Sequence, residues 1–187
     1  MKPRTLLDAL LVAERLKDTT RHCYTSQGRH ESVAEHSWMM TLMAFFMRHE
    51  FAEADMNKVI RMCIIHDLGE CFTGDVPTFE KNQIHEDAEK SLLNNWIASL
   101  PPKNANELSE LFKEMAAQQT LEAKIYKAID SIEALIQHNV SDLSTWIPTE
   151  YELNLTYADE RVKFSEYLTA LRQAVREDTI RKIEKGV

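Results

Sequence analysis

Apolar residues recur three and four positions apart along most of this chain, and that spacing restricts it to packed helices. The clearest stretch is 121–140, where Ile125, Ala128, Ile132 and Leu135 form one stripe with the period of an amphipathic helix. Leu6, Leu7, Leu10, Leu11 and the run Ala13 to Leu16 give a first helix of the same kind. Four glycines and five prolines in 187 residues leave little material for the turns of an all-β fold. Ser32 and Glu35 have the form of a capping box, which starts a second helix running to 51, with Met39, Met40, Met43, Phe46 and Met47 on or near its inner face. Further helices are expected over 56–70, over 80–100 (Ile84, Ala88, Leu92, Trp96, Leu100), over 106–118 and over 159–185. Segment 17–31 reads as a polar connection, and 141–157 as loop with a short helical piece. No repeat or second domain is visible, so the expectation is one all-α domain of six to seven helices over 1–187.

The charge balance narrows the function. A net charge of −8 argues against an extended surface for nucleic-acid polymers or anionic membranes, while leaving room for a small phosphorylated ligand held by a few arginines. The N-terminal stretch alternates apolar and charged residues, unlike a signal peptide, and no segment is long enough to span a membrane. Cys23, Cys63 and Cys71 cannot all pair with one another and form no CxxC, which reads as reduced thiols in the cytoplasm.

The stretch RMCIIHDLGECFTGD (61–75) is where the packing logic breaks. An apolar helix runs directly into His66 and Asp67, and burying an unpaired carboxylate costs several kcal/mol unless a partner or a metal compensates it. Together with His36 and Asp130, each on a predicted helix, they make a set of two imidazoles and two carboxylates suited to a first-row divalent ion. Each element also has a plainer reading. His36 could be a hydrogen-bonded core histidine, His66-Asp67 a solvated helix C-terminus, and Asp130 a polar neighbour of the apolar stripe.

The order His36, His66-Asp67, Asp130 resembles the signature of the HD-domain metal phosphohydrolases. Three segments resemble one branch of them, the bacterial 5′-deoxynucleotidases and the HD-domain-containing protein 2 group: RLKDTTRHCYTSQGRHESVAEHS (15–37), HDLGECFTGDVPT (66–78) and EAKIYKAIDSIEALIQ (122–137). The likeness spans about 15–138. It implies that His36, His66, Asp67 and Asp130 hold the metal, Glu70 moves protons, Asp75 lies near the attacking water and Arg21 grips the substrate phosphate. His22 follows that arginine where the bacterial enzymes carry tryptophan, beside the sugar, and Arg29 could support the phosphate pocket. His85 is the one histidine between Asp67 and Asp130, whereas dinuclear relatives use two more there, so a single ion (Mn, Co, Fe, Ni or Zn) is implied. The resemblance also implies a nucleotide substrate, a 5′-deoxyribonucleotide by preference, and a homodimer. The open alternatives are another phosphate ester, or a metal- and nucleotide-binding regulator without turnover.

Overall fold

The computed structural model describes residues 1–186. Helix α1 (Pro3–Ala13) places Pro3 at its first position, where a missing N–H loses no helical bond. A 3-10 turn, Glu14–Lys17, leads into strands β1 (Thr20–Tyr24) and β2 (His30–Ser32). These pair antiparallel, Thr20 opposite Ser32 and Tyr24 opposite His30, and Gly28 supplies the left-handed residue of the turn at φ +77°. The polar connection expected over 17–31 is therefore a hairpin.

Ser32 ends β2 and caps α2 (Val33–Phe46). Its Oγ accepts the Glu35 N–H at 3.3 Å, and its own N–H donates to Glu35 Oε2 at 2.9 Å. The helix stops at Phe46, short of 51, and its inner face differs from the expectation: Met40 and Ala44 are buried, but Phe46 is 74% exposed. α3 (Met56–Ile65) begins on Asp55, whose Oδ1 accepts the Lys58 N–H at 3.0 Å. The helix expected over 56–70 breaks at His66, and a single turn, α4 (Glu70–Thr73), follows. α5 (Gln83–Ala98) buries Leu93 and Ile97 and turns Ile84 and Leu92 to solvent, so the stripe read over 80–100 is not its core face.

α6 (Pro102–Ala117) starts on the second proline of the pair, not at 106. α7 (Leu121–Val140), capped by Thr120, is the axis of the molecule: Ile125, Ala128, Ile129 and Ile132 have no exposed surface. They pack with Met40, Val59, Met62 and Cys63 of α2 and α3 and with Leu168 in one core. Each such aliphatic side chain stabilises the fold by roughly 1.5–3 kcal/mol. Segment 141–157 contains α8 (Pro148–Thr156), and the final helix divides into α9 (Asp159–Val162) and α10 (Glu166–Lys185), the latter restarted by Ser165 as cap. Arg172 of α10, 1% exposed, donates to the carbonyls of Tyr157 (2.8 Å) and Asn154 (3.0 Å) and so ties α10 to the end of α8. The all-α expectation holds, with more and shorter helices and one small hairpin. Among the described residues, Cys23, Cys63 and Cys71 are buried and free, and no helix is long and apolar enough to cross a membrane.

Candidate metal centre

Three helices deliver the candidate ligands to one point. The capping box fixes the first turn of α2, and with it His36, which is 1% exposed. His66 is the residue on which α3 ends. Its ring Nδ1 is 2.8 Å from the Cys63 carbonyl, one turn back, so that nitrogen carries the proton and donates it. Nε2 of His66 is then the nitrogen left to face the site. It is buried and has no hydrogen-bond partner, although Asp67 Oδ2 lies 2.8 Å away. Asp130 of α7 brings Oδ1 to 3.2 Å from His36 Nε2 and 4.0 Å from His66 Nε2, and Asp67 Oδ2 is 3.9 Å from His36 Nε2. A tetrahedral ion with bonds of about 2.0–2.2 Å needs ligand atoms roughly 3.3–3.6 Å apart, so these separations bracket what a bound ion would draw together. The unsatisfied Nε2 and the mixed imidazole–carboxylate donors fit a first-row divalent cation.

The charges agree with that fit. Burial pushes the Asp67 carboxyl up, but His66 and His36 outweigh it and hold it at about 2. Burial opposes the Asp130 charge too, yet Lys127, 2.7 Å from Oδ2, and the two imidazoles keep it well below the usual range. For His36, burial and the Arg21 charge favour the neutral ring, while Glu133 and Asp130 outweigh them and raise the imidazolium to about 9. Sequence reasoning missed Glu133, which has no exposed surface. It accepts from His36 Nδ1 and, at 3.3 Å, from Arg21 Nη1. A carboxylate behind a ligating imidazole fixes its tautomer and strengthens it as a donor. The available signal was a glutamate one helical turn after Asp130, on the same face of α7.

These groups form the floor of a pocket of about 990 Å³ that Arg21, His22, Glu70 and Asp75 also line. Arg21 engages Glu31 (2.8 Å) and Glu133 through the same nitrogen, Nη1. Glu70 opens α4 and is 5% exposed. Burial, then Asp67 and Asp75, raise its carboxyl to about 10, and its Oε2 has no hydrogen-bond partner. Asp75 is raised too, chiefly by burial. Arg29 is not brought to this pocket: it lies exposed on the hairpin and donates to Glu35 at 2.8 Å. Above the acidic floor the wall is of mixed charge, with Lys81, Lys90, Lys113, Lys127 and Arg161 joining Arg21 among Glu86, Asp87 and Glu89. α8 contributes Glu150, Leu153 and Asn154, so segment 141–157 forms a side of the pocket.

The family model of the HD domain matches residues 13–172. The chain belongs to the HD-domain family of metal-dependent phosphohydrolases. It is 33% identical over 142 residues to the 5′-deoxynucleotidase HDDC2 of Bos taurus, covering 72% of this chain and 66% of that protein. The human protein of the same name is 32% identical over 142 residues, with 72% and 67% covered. The chain thus spans about two thirds of the length of these curated relatives. A crystal structure of a predicted metal-dependent phosphohydrolase from Magnetospirillum magnetotacticum MS-1 superposes with a TM-score of 0.83 at 26% identity, covering 96% of this HD-domain chain and 93% of the other.

Proposed function

We propose that this chain hydrolyses nucleoside 5′-monophosphates to nucleoside and phosphate, with one divalent ion of the Mn, Co, Fe, Ni or Zn group held by His36, His66, Asp67 and Asp130. The observation that carries the reading is the buried, unpartnered Nε2 of His66 facing Asp67, His36 and Asp130. A divalent cation in that position supplies positive charge that draws on a phosphoryl oxygen and acidifies a water.

The remaining work falls to the chain's own side chains. Arg21 offers its guanidinium donors to the phosphate oxygens, a planar fork matched to that anion, while Glu31 and Glu133 hold it in place. Glu70, whose carboxyl the charge of an adjacent cation would return towards the ionised form, takes the proton of the attacking water and returns it to the departing sugar oxygen; Asp75 orients that water. A pocket of about 990 Å³ with Arg21, Lys90, Lys113 and Arg161 in its wall suits a small anion over a polymer, in keeping with the −8 net charge of the whole chain.

The name shared by the bovine and human relatives supports a 5′-deoxynucleotide as substrate. His22, half-buried in the pocket wall, then stands at the sugar end. Leu6, Leu7, Leu10 and Leu11, all exposed on α1, support a homodimer, and three unpaired thiols suit the cytoplasm. The test is phosphate release from ribo- and deoxyribonucleoside 5′-monophosphates, using metal-stripped protein and samples refilled with Mn, Co or Zn. Metal-dependent release, faster on the deoxy series, is expected. Bound metal with no release from any monophosphate would overturn the assignment.

A further inference from the structure

A second constellation lies in the same pocket wall and supplies no group to the proton transfers or phosphate contacts above, although one member, His22, stands at the sugar end. His22 of β1, His138 near the end of α7 and Glu150 in the first turn of α8 bring their ligand atoms within 4.8 Å of one another. Glu150 Oε1 is 3.2 Å from His22 Nε2 and 3.8 Å from His138 Nε2. Those two separations bracket the roughly 3.3–3.6 Å spacing of donors around a tetrahedral ion. Two imidazoles and one glutamate are also a donor set that zinc accepts while keeping a position open.

The surroundings hold the three groups in this arrangement. Glu150 Oε2 accepts the Ile147 N–H at 2.7 Å, which leaves Oε1 turned towards the histidines. Trp146 donates from Nε1 to the His138 carbonyl at 3.0 Å and sets its ring edge-on to the imidazole, 5.7 Å between centroids. Phe79 packs edge-on against His22 at 5.3 Å. His138 is 7% exposed, Glu150 at 3.8 Å is beyond hydrogen-bond reach of its ring, and Nδ1 of His22 is buried without a partner. Burial, first among its influences, pulls His138 down to about 4, so the ring is neutral at pH 7 and its nitrogen lone pair is available. Glu150, held below the ordinary glutamate range despite its burial by His22, His138 and the Ile147 N–H, is ionised. A neutral imidazole beside an ionised carboxylate is the protonation state that metal binding requires.

We propose that His22, His138 and Glu150 form a second divalent-metal site, suited to a first-row ion such as Zn²⁺, whose open position faces the pocket. His138 lies eight residues beyond Asp130 on α7, about 12 Å along the helix axis. That exceeds the roughly 3.5–4 Å between the ions of a paired catalytic centre, so this is a separate site and not the other half of the first. Its binding does not depend on the hydrolase reading. An ion here fastens the hairpin, the end of α7 and the start of α8 to one another, three sides of the pocket at once.

The experiment is a Zn²⁺ titration of the stripped full-length protein against a chromophoric chelator, repeated with Co²⁺ to read the visible bands of a tetrahedral ion. Parent protein is expected to take up two equivalents, and His36→Ala one. Glu150→Gln and His22→Ala should each also take up one, with His36, His66, Asp67 and Asp130 untouched. His22→Ala alters a half-buried hairpin position and serves if Glu150→Gln fails to fold, which circular dichroism reports. A single equivalent in the parent, abolished by His36→Ala, would overturn the proposal and leave the trio as a hydrogen-bonded clasp. So would uptake by His22→Ala equal to that of the parent.

Discussion

Replacing Glu133 with glutamine keeps the shape of a side chain that has no exposed surface and removes its charge. Two neighbours feel the loss: His36, which donates from Nδ1, and Arg21, 3.3 Å away. A hydrogen bond to an ionised acceptor contributes about 1.5–3 kcal/mol and a neutral one about 1. The difference of roughly 1–2 kcal/mol falls on the ring that faces the metal, which corresponds to an about 5- to 30-fold weaker hold on the ion and overlaps the range for such supporting groups. Arg21 keeps Glu31 at 2.8 Å, so the loss of stability is smaller than the 3–5 kcal/mol of a fully broken buried pair, about 2–3 kcal/mol. That lowers Tm by about 5–10 °C for a chain of this size. Proton competition has to be separated from orientation. In the metal-free protein His36 holds its proton up to about pH 9, and that proton must leave before Nε2 can bind an ion. Affinity in the parent therefore rises by about tenfold per pH unit between 7 and 9 and then levels off. Glu133→Gln lowers that pKa and flattens the rise, so the orientation loss is read near pH 9, with chelator competition as the assay. An affinity within about twofold of the parent there would refute the claim that Glu133 sets the His36 ring.

Asp67→Ala removes a ligand and should lower metal uptake by the one equivalent held with His36, His66 and Asp130 and abolish hydrolysis, whereas Glu70→Gln should retain that ion and slow turnover by about 100-fold or more; metal analysis alongside phosphate release separates the two. His138 gives the metal-free protein an acid sensitivity. Its folded value, about 4, is below the 6.5 of an ordinary histidine, so the unfolded chain takes up the proton first and stability falls as pH drops from about 6.5 towards 4. By pH 5 the loss is roughly 2 kcal/mol, or about 4–8 °C in Tm; His138→Gln should remove most of that slope in thermal melts at pH 7 and pH 5. Ile129→Ala, in the fully buried stripe of α7, should cost about 2–5 kcal/mol by denaturant unfolding without changing metal stoichiometry.

α7 was legible because its apolar period is regular and its cap, Thr120, is a preferred residue at that position. The capping box of Ser32 and Glu35 was legible for the same reason, since both signals are local. What escaped is what distant residues decide. β1 and β2 are five and three residues long, too short for an alternating pattern to stand out, and the hairpin is held in part by Gln137 of α7 donating to the Tyr24 carbonyl at 2.6 Å. Glu133 is buried because Arg21 reaches it from 112 positions earlier in the chain, which no window of sequence contains. α8 hides its inner face by making it polar. Asn154, 1% exposed, donates to the Leu135 carbonyl at 3.3 Å, and Glu150 is turned inward as well, so the helix lacks the apolar stripe that periodicity detects. The four candidate metal ligands could be picked from residue type and order, but their convergence depended on how α2, α3 and α7 cross.

The two sides of the pocket are anchored very differently. α7, which carries Asp130 and Glu133, buries eleven of its twenty residues. α5, which also lines the pocket, buries only Leu93 and Ile97 of its sixteen. Mutations in the first therefore disturb the centre of the fold, whereas most surface changes in the second stay within about half a kcal/mol of neutral. A lineage of such proteins can thus explore new ligands by drifting along α5 while its reactive floor stays constant, and a designer seeking altered selectivity would randomise that helix first.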